Sequence, residues 1–122
     1  MLLDSNIIIY SGQARHARLR QWMLETAASV SAISYVEVLG FHRISEADRI
    51  AFTDFFDRAI ILPITPPILD QAVALRQSHR ISLGDSLVAA TAIVQNLPLA
   101  THNLKDFSWI NNLQLLDPLT LP

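Results

Sequence analysis

The 122 residues suffice for one domain, 1–122, and leave no room for a second. With 51% hydrophobic and 16% charged residues the chain can bury a core, which excludes a disordered adaptor, and the lack of cysteine excludes disulfides and thiolate zinc sites. A formal charge of −2 excludes a basic coat for nucleic acid, so any action on nucleic acid must come from a local site.

Leu2 and Leu3 begin a short buried strand that ends at Asp4-Ser5-Asn6, and residues 7–10 open a helical turn. Residues 14–27 have helical periodicity, with Leu19, Trp22, Met23 and Ala27 on one face and Arg15, Arg18 and Arg20 largely off it. Residues 29–33 are short, β-branched and apolar, a second buried strand. Ser34 is expected to cap a helix running through Glu37 to Leu39. Residues 45–58 form the next helix, with acids in its first turn where the helix dipole favours them. Residues 59–62 read as a third apolar strand. Pro63, Pro66 and Pro67 mark a loop and the start of a helix over residues 68–79. Ser82 caps a helix over residues 83–96, whose stretch 87–94 is apolar nearly all round and belongs at the centre. Residues 97–100 give a fourth strand ending at Thr101-His102-Asn103, and residues 113–116 a last one.

Apolar strands alternating with helices, without polar alternation, predict an α/β fold of three layers, α/β/α, around a parallel sheet. No run reaches the roughly 18 uncharged apolar residues of a membrane span, and no basic run precedes an apolar stretch at the start. A soluble, cytoplasmic protein is the expectation.

In parallel sheets functional groups collect beyond the carboxyl ends of the strands. Asp4 follows the first strand, Glu37 the second, and Asn103 and Asp106 the fourth, while Asp85 opens the apolar helix. Separate pieces of chain thus deliver acids to one edge. Carboxylate oxygens are the ligands that Mg²⁺ and Mn²⁺ prefer, and acids so packed repel one another unless a cation joins them. With metal bound, such a site could ionise a water and neutralise a phosphodiester under attack.

Each acid also has a structural explanation. Ser34-Tyr-Val-Glu37 matches a capping box, Ser82-Leu-Gly-Asp85 nearly does, and Asp4 could cap the helix near Ile7. Against this, the flanking residues are among the most apolar in the chain. Acids beside a core need a partner, and no Lys or Arg lies within several residues of Asp4 or Glu37.

Met1-Leu-Leu-Asp4-Ser-Asn6, Ser34-x-x-Glu37-Val-Leu, Asp85-Ser-Leu-Val-Ala-Ala-Thr-Ala and Thr101-His-Asn103-x-x-Asp106-Phe resemble the PIN-domain pattern in order and spacing, over essentially the whole chain. The short layout is most similar to VapC-type toxins of toxin–antitoxin pairs. The resemblance implies a sheet of order 3-2-1-4-5 and endoribonuclease activity requiring Mg²⁺, with Mn²⁺ as substitute. It further implies an RNA substrate and a VapB-like antitoxin in the active-site cleft, in a homodimer or a toxin–antitoxin hetero-oligomer. On this pattern Asp4 and Asp85 are the principal metal ligands and Glu37 the third acid. Asn6 and Thr101 are polar residues holding the ligands or a water. Asn103 stands where many members have Asp, and Asp106 belongs to the Asn-x-x-Asp-Phe form, so which of the two completes the site stays open.

Arg15, His16, Arg18 and Arg20 form the dense basic cluster, read as solvated surface or, alternatively, as a phosphate-gripping rim. Arg76, His79 and Arg80 allow the same two readings. The four histidines share no metal-ligand spacing, and His102 is the one nearest the expected site. Phe52, Phe55 and Phe56 read as core, or in part as a groove for a partner helix together with Trp22 and Phe41. A haloacid-dehalogenase type of phosphotransferase needs an acid where Asn6 stands. A receiver domain needs an Asp ending the middle strand, and Ile60-Ile-Leu-Pro-Ile-Thr65 has none. The remaining alternative is a PIN scaffold that binds RNA or a protein without cutting.

Overall fold

Strands of two or three residues can form a sheet only if their neighbours complete the ladder and both faces are covered. The computed structural model, which describes residues 1–120, meets both conditions; the last two residues of the expected 1–122 domain lie outside the described residues. Strands β1 (Leu2–Leu3), β2 (Ser29–Ser31), β3 (Ile60–Leu62), β4 (Leu99–Ala100) and β5 (Leu115–Leu116) make one sheet in the order β3-β2-β1-β4-β5. Every neighbouring pair is parallel, with Leu2 opposite both Ser29 and Leu99, and Leu3 opposite Val30 and Ala100. The helices between them are α1 (Ser5–Ser11), α2 (Ala17–Glu25), α3 (Ala32–Leu39), α4 (Glu46–Arg58), α5 (Pro66–Ser78), α6 (Leu83–Val94) and α7 (Leu104–Phe107). The expected α/β/α layering and strand order are both present.

Successive strand residues point to opposite faces, and the sheet therefore separates two cores. Leu2 and Leu99 join Ile68, Leu75, Val88, Ala89 and Phe107 on the face of α5 and α6. Leu3, Val30 and Ala100 join Ile7, Ile8, Leu19, Val38, Phe52 and Phe56 on the other. Residues Ser86 to Ala92 of α6 are all buried, as their composition requires. Each fully buried Leu, Ile or Phe contributes about 1.5–3 kcal/mol, so these two layers hold the short ladders in register.

Several boundaries differ from the sequence reading. The second strand stops at Ser31, because Ser31, not Ser34, caps α3: its hydroxyl accepts from the Ile33 N–H at 3.2 Å. The single helix expected over residues 14–27 is a 3₁₀ turn, Ala14–His16, followed by α2. Proline at the first two positions of α5 starts that helix at Pro66. The α6 helix ends at Val94, and Asn96 takes a left-handed conformation (φ 55°) that lets the Leu97 N–H reach the Ala92 carbonyl at 2.8 Å. Strand β3 is an edge strand whose Ile60 and Ile61 are exposed rather than covered. Helix α7 has no counterpart in the expected elements. Among the described residues no helix is long and apolar enough to cross a membrane.

Candidate active site

Strand β1 is central, flanked by β2 and β4, so whatever follows these three strands meets at one edge. Asp4 leaves β1 and occupies the N-cap position of α1, but its carboxylate makes no cap hydrogen bond. Instead Oδ2 accepts from the Thr101 hydroxyl, 2.9 Å away at the end of β4. Asp4 is only 3% exposed and Thr101 is fully buried. The Asn103 N–H donates to the same Thr101 oxygen at 3.1 Å, which orients the hydroxyl toward Asp4. Thr101 thus holds Asp4 in place.

Glu37 lies in the second turn of α3, clear of the helix cap, so the capping-box reading of Ser34 and Glu37 fails. Its Oε1 accepts from the Ser5 hydroxyl at 2.7 Å, and Ser5 Oγ is 2.8 Å from the buried Ser34 Oγ. Asp85 stands in the first turn of α6, where its N–H donates to the Ser82 hydroxyl at 3.1 Å. Ser82 therefore caps this helix as expected, with Asp85 half-buried beside it. Asp106 lies exposed in α7, Asn103 precedes that helix without a side-chain cap bond, and Asn6 sits half-buried in the first turn of α1.

The electrostatics tie four of these groups together. Burial pushes the Asp4 carboxyl up from 3.8 to about 6; the Thr101 hydrogen bond opposes this, the Asp85 charge adds to it, the Ser5 backbone opposes it and Glu37 adds to it. Burial also raises Asp85; the Ser82 hydroxyl lowers it, and the charges of Asp106 and Glu37 raise it further. Asp85 and Glu37 thus repel Asp4, and Asp106 and Glu37 repel Asp85, across the edge. None enters the ion pairs found among the described residues, which are Arg49–Glu46, Arg58–Asp54 and His102–Asp117. An all-oxygen donor set with surplus negative charge is chemistry suited to a hard divalent cation. As the side chains stand, no three His, Asp or Glu among the described residues are grouped closely enough to hold one.

The basic cluster does not line this edge as a row of free charges. Arg20 Nη1 donates to the Ser11 and Gln13 carbonyls at 2.8 and 2.7 Å, and Arg15 contacts Gln13 and His16. His102 pairs with Asp117 at 2.9 Å, and His79 stacks on Trp109 with ring centroids 4.0 Å apart, two arrangements that the sequence did not signal. A separate groove of about 650 Å³ opens between α2 and α4. Met23, Leu24, Phe52 and Phe55 line it, with Arg20, Asp54 and Arg58 among its polar residues. Phe52 and Phe56 are core as expected, but Trp22 and Phe41 are not part of the groove.

A central parallel sheet of this order, with acids delivered beyond β1, β2 and β4 to one edge, defines a class of α/β proteins with an acidic sheet edge. The model of the PIN domain matches residues 1–111, and this chain belongs to that family. It is similar to ribonuclease VapC10 of Mycobacterium tuberculosis, 32% identical over 100% of this chain and 95% of the relative. Ribonuclease VapC1 of Rickettsia felis is 28% identical over 95% of this chain and 94% of its own. Among solved structures, a chain of a toxin–antitoxin complex from Klebsiella pneumoniae is 29% identical, with TM-score 0.76 and 96% of each chain covered. VapBC-1 of Haemophilus influenzae gives 26% identity and TM-score 0.79, with 97% of each covered.

Proposed function

We propose that this protein is a metal-dependent endoribonuclease, the toxin of a toxin–antitoxin pair. The observation that carries the reading is Asp4, whose carboxyl burial raises to about 6 with the Asp85 and Glu37 charges adding to it, and which forms no ion pair with Arg or Lys among the described residues. A cluster left at this electrostatic disadvantage is costly in the empty protein and gains when a cation arrives. The relatives named ribonuclease VapC support RNA as the substrate.

Asp4 and Asp85 would be the principal ligands of Mg²⁺, or of Mn²⁺ in its place, with Glu37 as the third acid. The ion would supply charge neutralisation at the scissile phosphate and a more acidic water. Thr101 holds the Asp4 carboxylate in one rotamer through its hydroxyl, and the Ser82 cap fixes the first turn of α6 that carries Asp85. Ser5 restrains Glu37. Asp106 adds negative potential at Asp85, and Asn103 would offer a neutral carbonyl oxygen. Asn6 is a polar neighbour in the turn after Asp4 that would orient a ligand or a water.

The toxin–antitoxin complexes among the similar structures support a VapB-like partner, assembling with this chain as a hetero-oligomer or with a toxin homodimer. The groove between α2 and α4 suits an amphipathic helix of that partner: apolar floor, charged rim. The expected result is that purified protein, freed of any co-purifying antitoxin, cleaves RNA with Mg²⁺ or Mn²⁺ and is silenced by EDTA. A chain that binds RNA, or the product of a neighbouring gene, but leaves RNA intact under these conditions is a non-cutting scaffold. Asn103 in place of an acid, and side chains not yet gathered for a metal, favour that second reading.

A further inference from the structure

We infer that Ser5 and Ser34 position the Glu37 carboxylate and that Gly84 makes room for it: residue 84 is glycine because this carboxylate occupies the space a side chain would fill. The inference rests on the nuclease reading only in treating Glu37 as part of the working site; the clamp itself is a matter of packing.

On one side the restraint is a hydrogen-bond relay. Ser5 Oγ is 2.7 Å from Glu37 Oε1 and 2.8 Å from Ser34 Oγ. A hydroxyl has one proton, and an ionised carboxylate can only accept. Ser5 therefore donates to Glu37, and Ser34 donates to Ser5. Ser34 is fully buried and Ser5 is 7% exposed, so the relay is fixed by the core beneath it while Glu37 itself is exposed.

On the other side the requirement is open space. A Cβ at residue 84 would collide with Glu37 Oε2 and stand 2.8 Å from Cδ and 3.2 Å from Oε1. Gly84 is the second residue of α6 and has no positive φ, so the backbone there does not demand glycine. Alanine is the better helix former at such a position. The local preference of α6 is thus overridden by an atom 47 residues earlier in the chain. A long glutamate side chain on an exposed helix face would otherwise sample several rotamers; the serine relay selects one, and the glycine leaves open the space that this one needs.

A double-substitution cycle tests this. Gly84→Ala is made in the natural chain and in a Glu37→Ala background, and both pairs are read by thermal melting without metal and by Mn²⁺ titration calorimetry. In the Glu37→Ala background the alanine raises the melting temperature by roughly 2–4 °C, as helix propensity alone requires. In the natural background that gain is absent, Mn²⁺ binding weakens about tenfold or more, and RNA cleavage falls in kcat with KM little changed. Ser5→Ala weakens Mn²⁺ binding only where Glu37 is present. Equal, additive effects of Gly84→Ala on melting in the two backgrounds overturn the inference. Because melting is read without metal or RNA, a protein that cuts nothing yet shows the coupling retains the clamp and loses only the nuclease reading.

Discussion

The Thr101 hydroxyl donates to Asp4 Oδ2 across 2.9 Å, although 97 residues separate the two in sequence. Both are buried, at the ends of the adjacent strands β4 and β1, and the bond is the polar seam between two otherwise apolar ladders. Thr101→Val keeps the shape and removes the donor. It leaves Asp4 Oδ2 and the Asn103 N–H without their partner, and the expected loss is about 1–3 kcal/mol at neutral pH by urea denaturation. Unchanged stability would mean that water replaces the hydroxyl and that Thr101 does not fix Asp4.

The raised Asp4 carboxyl makes stability depend on pH with a definite sign. Its folded value is about 6 against 3.8 when unfolded, so below about pH 4 it is protonated in both states and carries no penalty. As pH rises through the interval from about 4 to about 6, the unfolded chain releases its proton first and folding loses ground. The gap of about two pH units corresponds to a penalty of about 3 kcal/mol, complete by neutral pH. Asp4→Asn therefore raises the melting temperature of metal-free protein at about pH 7.5, and the gain vanishes near pH 3.5. Melting curves across that range decide it; a gain that persists in acid would assign the effect to packing rather than charge.

Asp85→Asn is nearly isosteric and keeps the Ser82 cap, which uses the residue 85 N–H. Removing its charge relieves repulsion with Asp106 and Glu37. Metal-dependent RNA cleavage is expected to fall by more than about a hundredfold while the melting temperature holds or rises. Full activity in this variant would take Asp85 out of the mechanism.

Leu24 is 84% exposed on the wall of the groove between α2 and α4. Leu24→Asp should change stability by no more than about 0.5 kcal/mol, because nothing in the chain alone packs over it. Co-expressed with the product of the neighbouring gene, the variant should lose its partner on purification and still cleave RNA. Retention of the partner would place the antitoxin helix elsewhere.

Ala27 holds a left-handed conformation, φ 47°, just past the end of α2. Glycine reaches this region without the Cβ clash, so Ala27→Gly should stabilise by about 0.5–1 kcal/mol in chemical denaturation. A destabilised variant would show that the methyl, which lines the groove, contributes more by packing than it loses by strain.

The layer architecture was legible from apolar runs alone; the positions of Asp4, Glu37 and Asp106 followed from what comes after the strands, and that of Asp85 from the start of the apolar helix. What failed failed for local reasons. Ser31 and Ser34 are three residues apart, and either could open α3; the S-x-x-E spacing favoured the wrong one, because Ser34 is buried in the relay to Ser5. Strand β3 has the composition of a central strand and lies at the edge, since three residues carry no periodicity that separates the two cases. The tether from Ser5 to Glu37 and the space at Gly84 join segments remote in the chain, which one sequence cannot align. Arg20 looked like a free charge because its acceptors are backbone carbonyls.

The central place of β1 also governs when the pocket comes into being during synthesis. Strand β1 waits long for its neighbour: β4, Asp85 and Thr101 emerge only some eighty to a hundred residues after it. A ribosome adding about 5–20 residues each second therefore carries, for several seconds, a nascent chain with Asp4 and Glu37 but no Asp85 to face them.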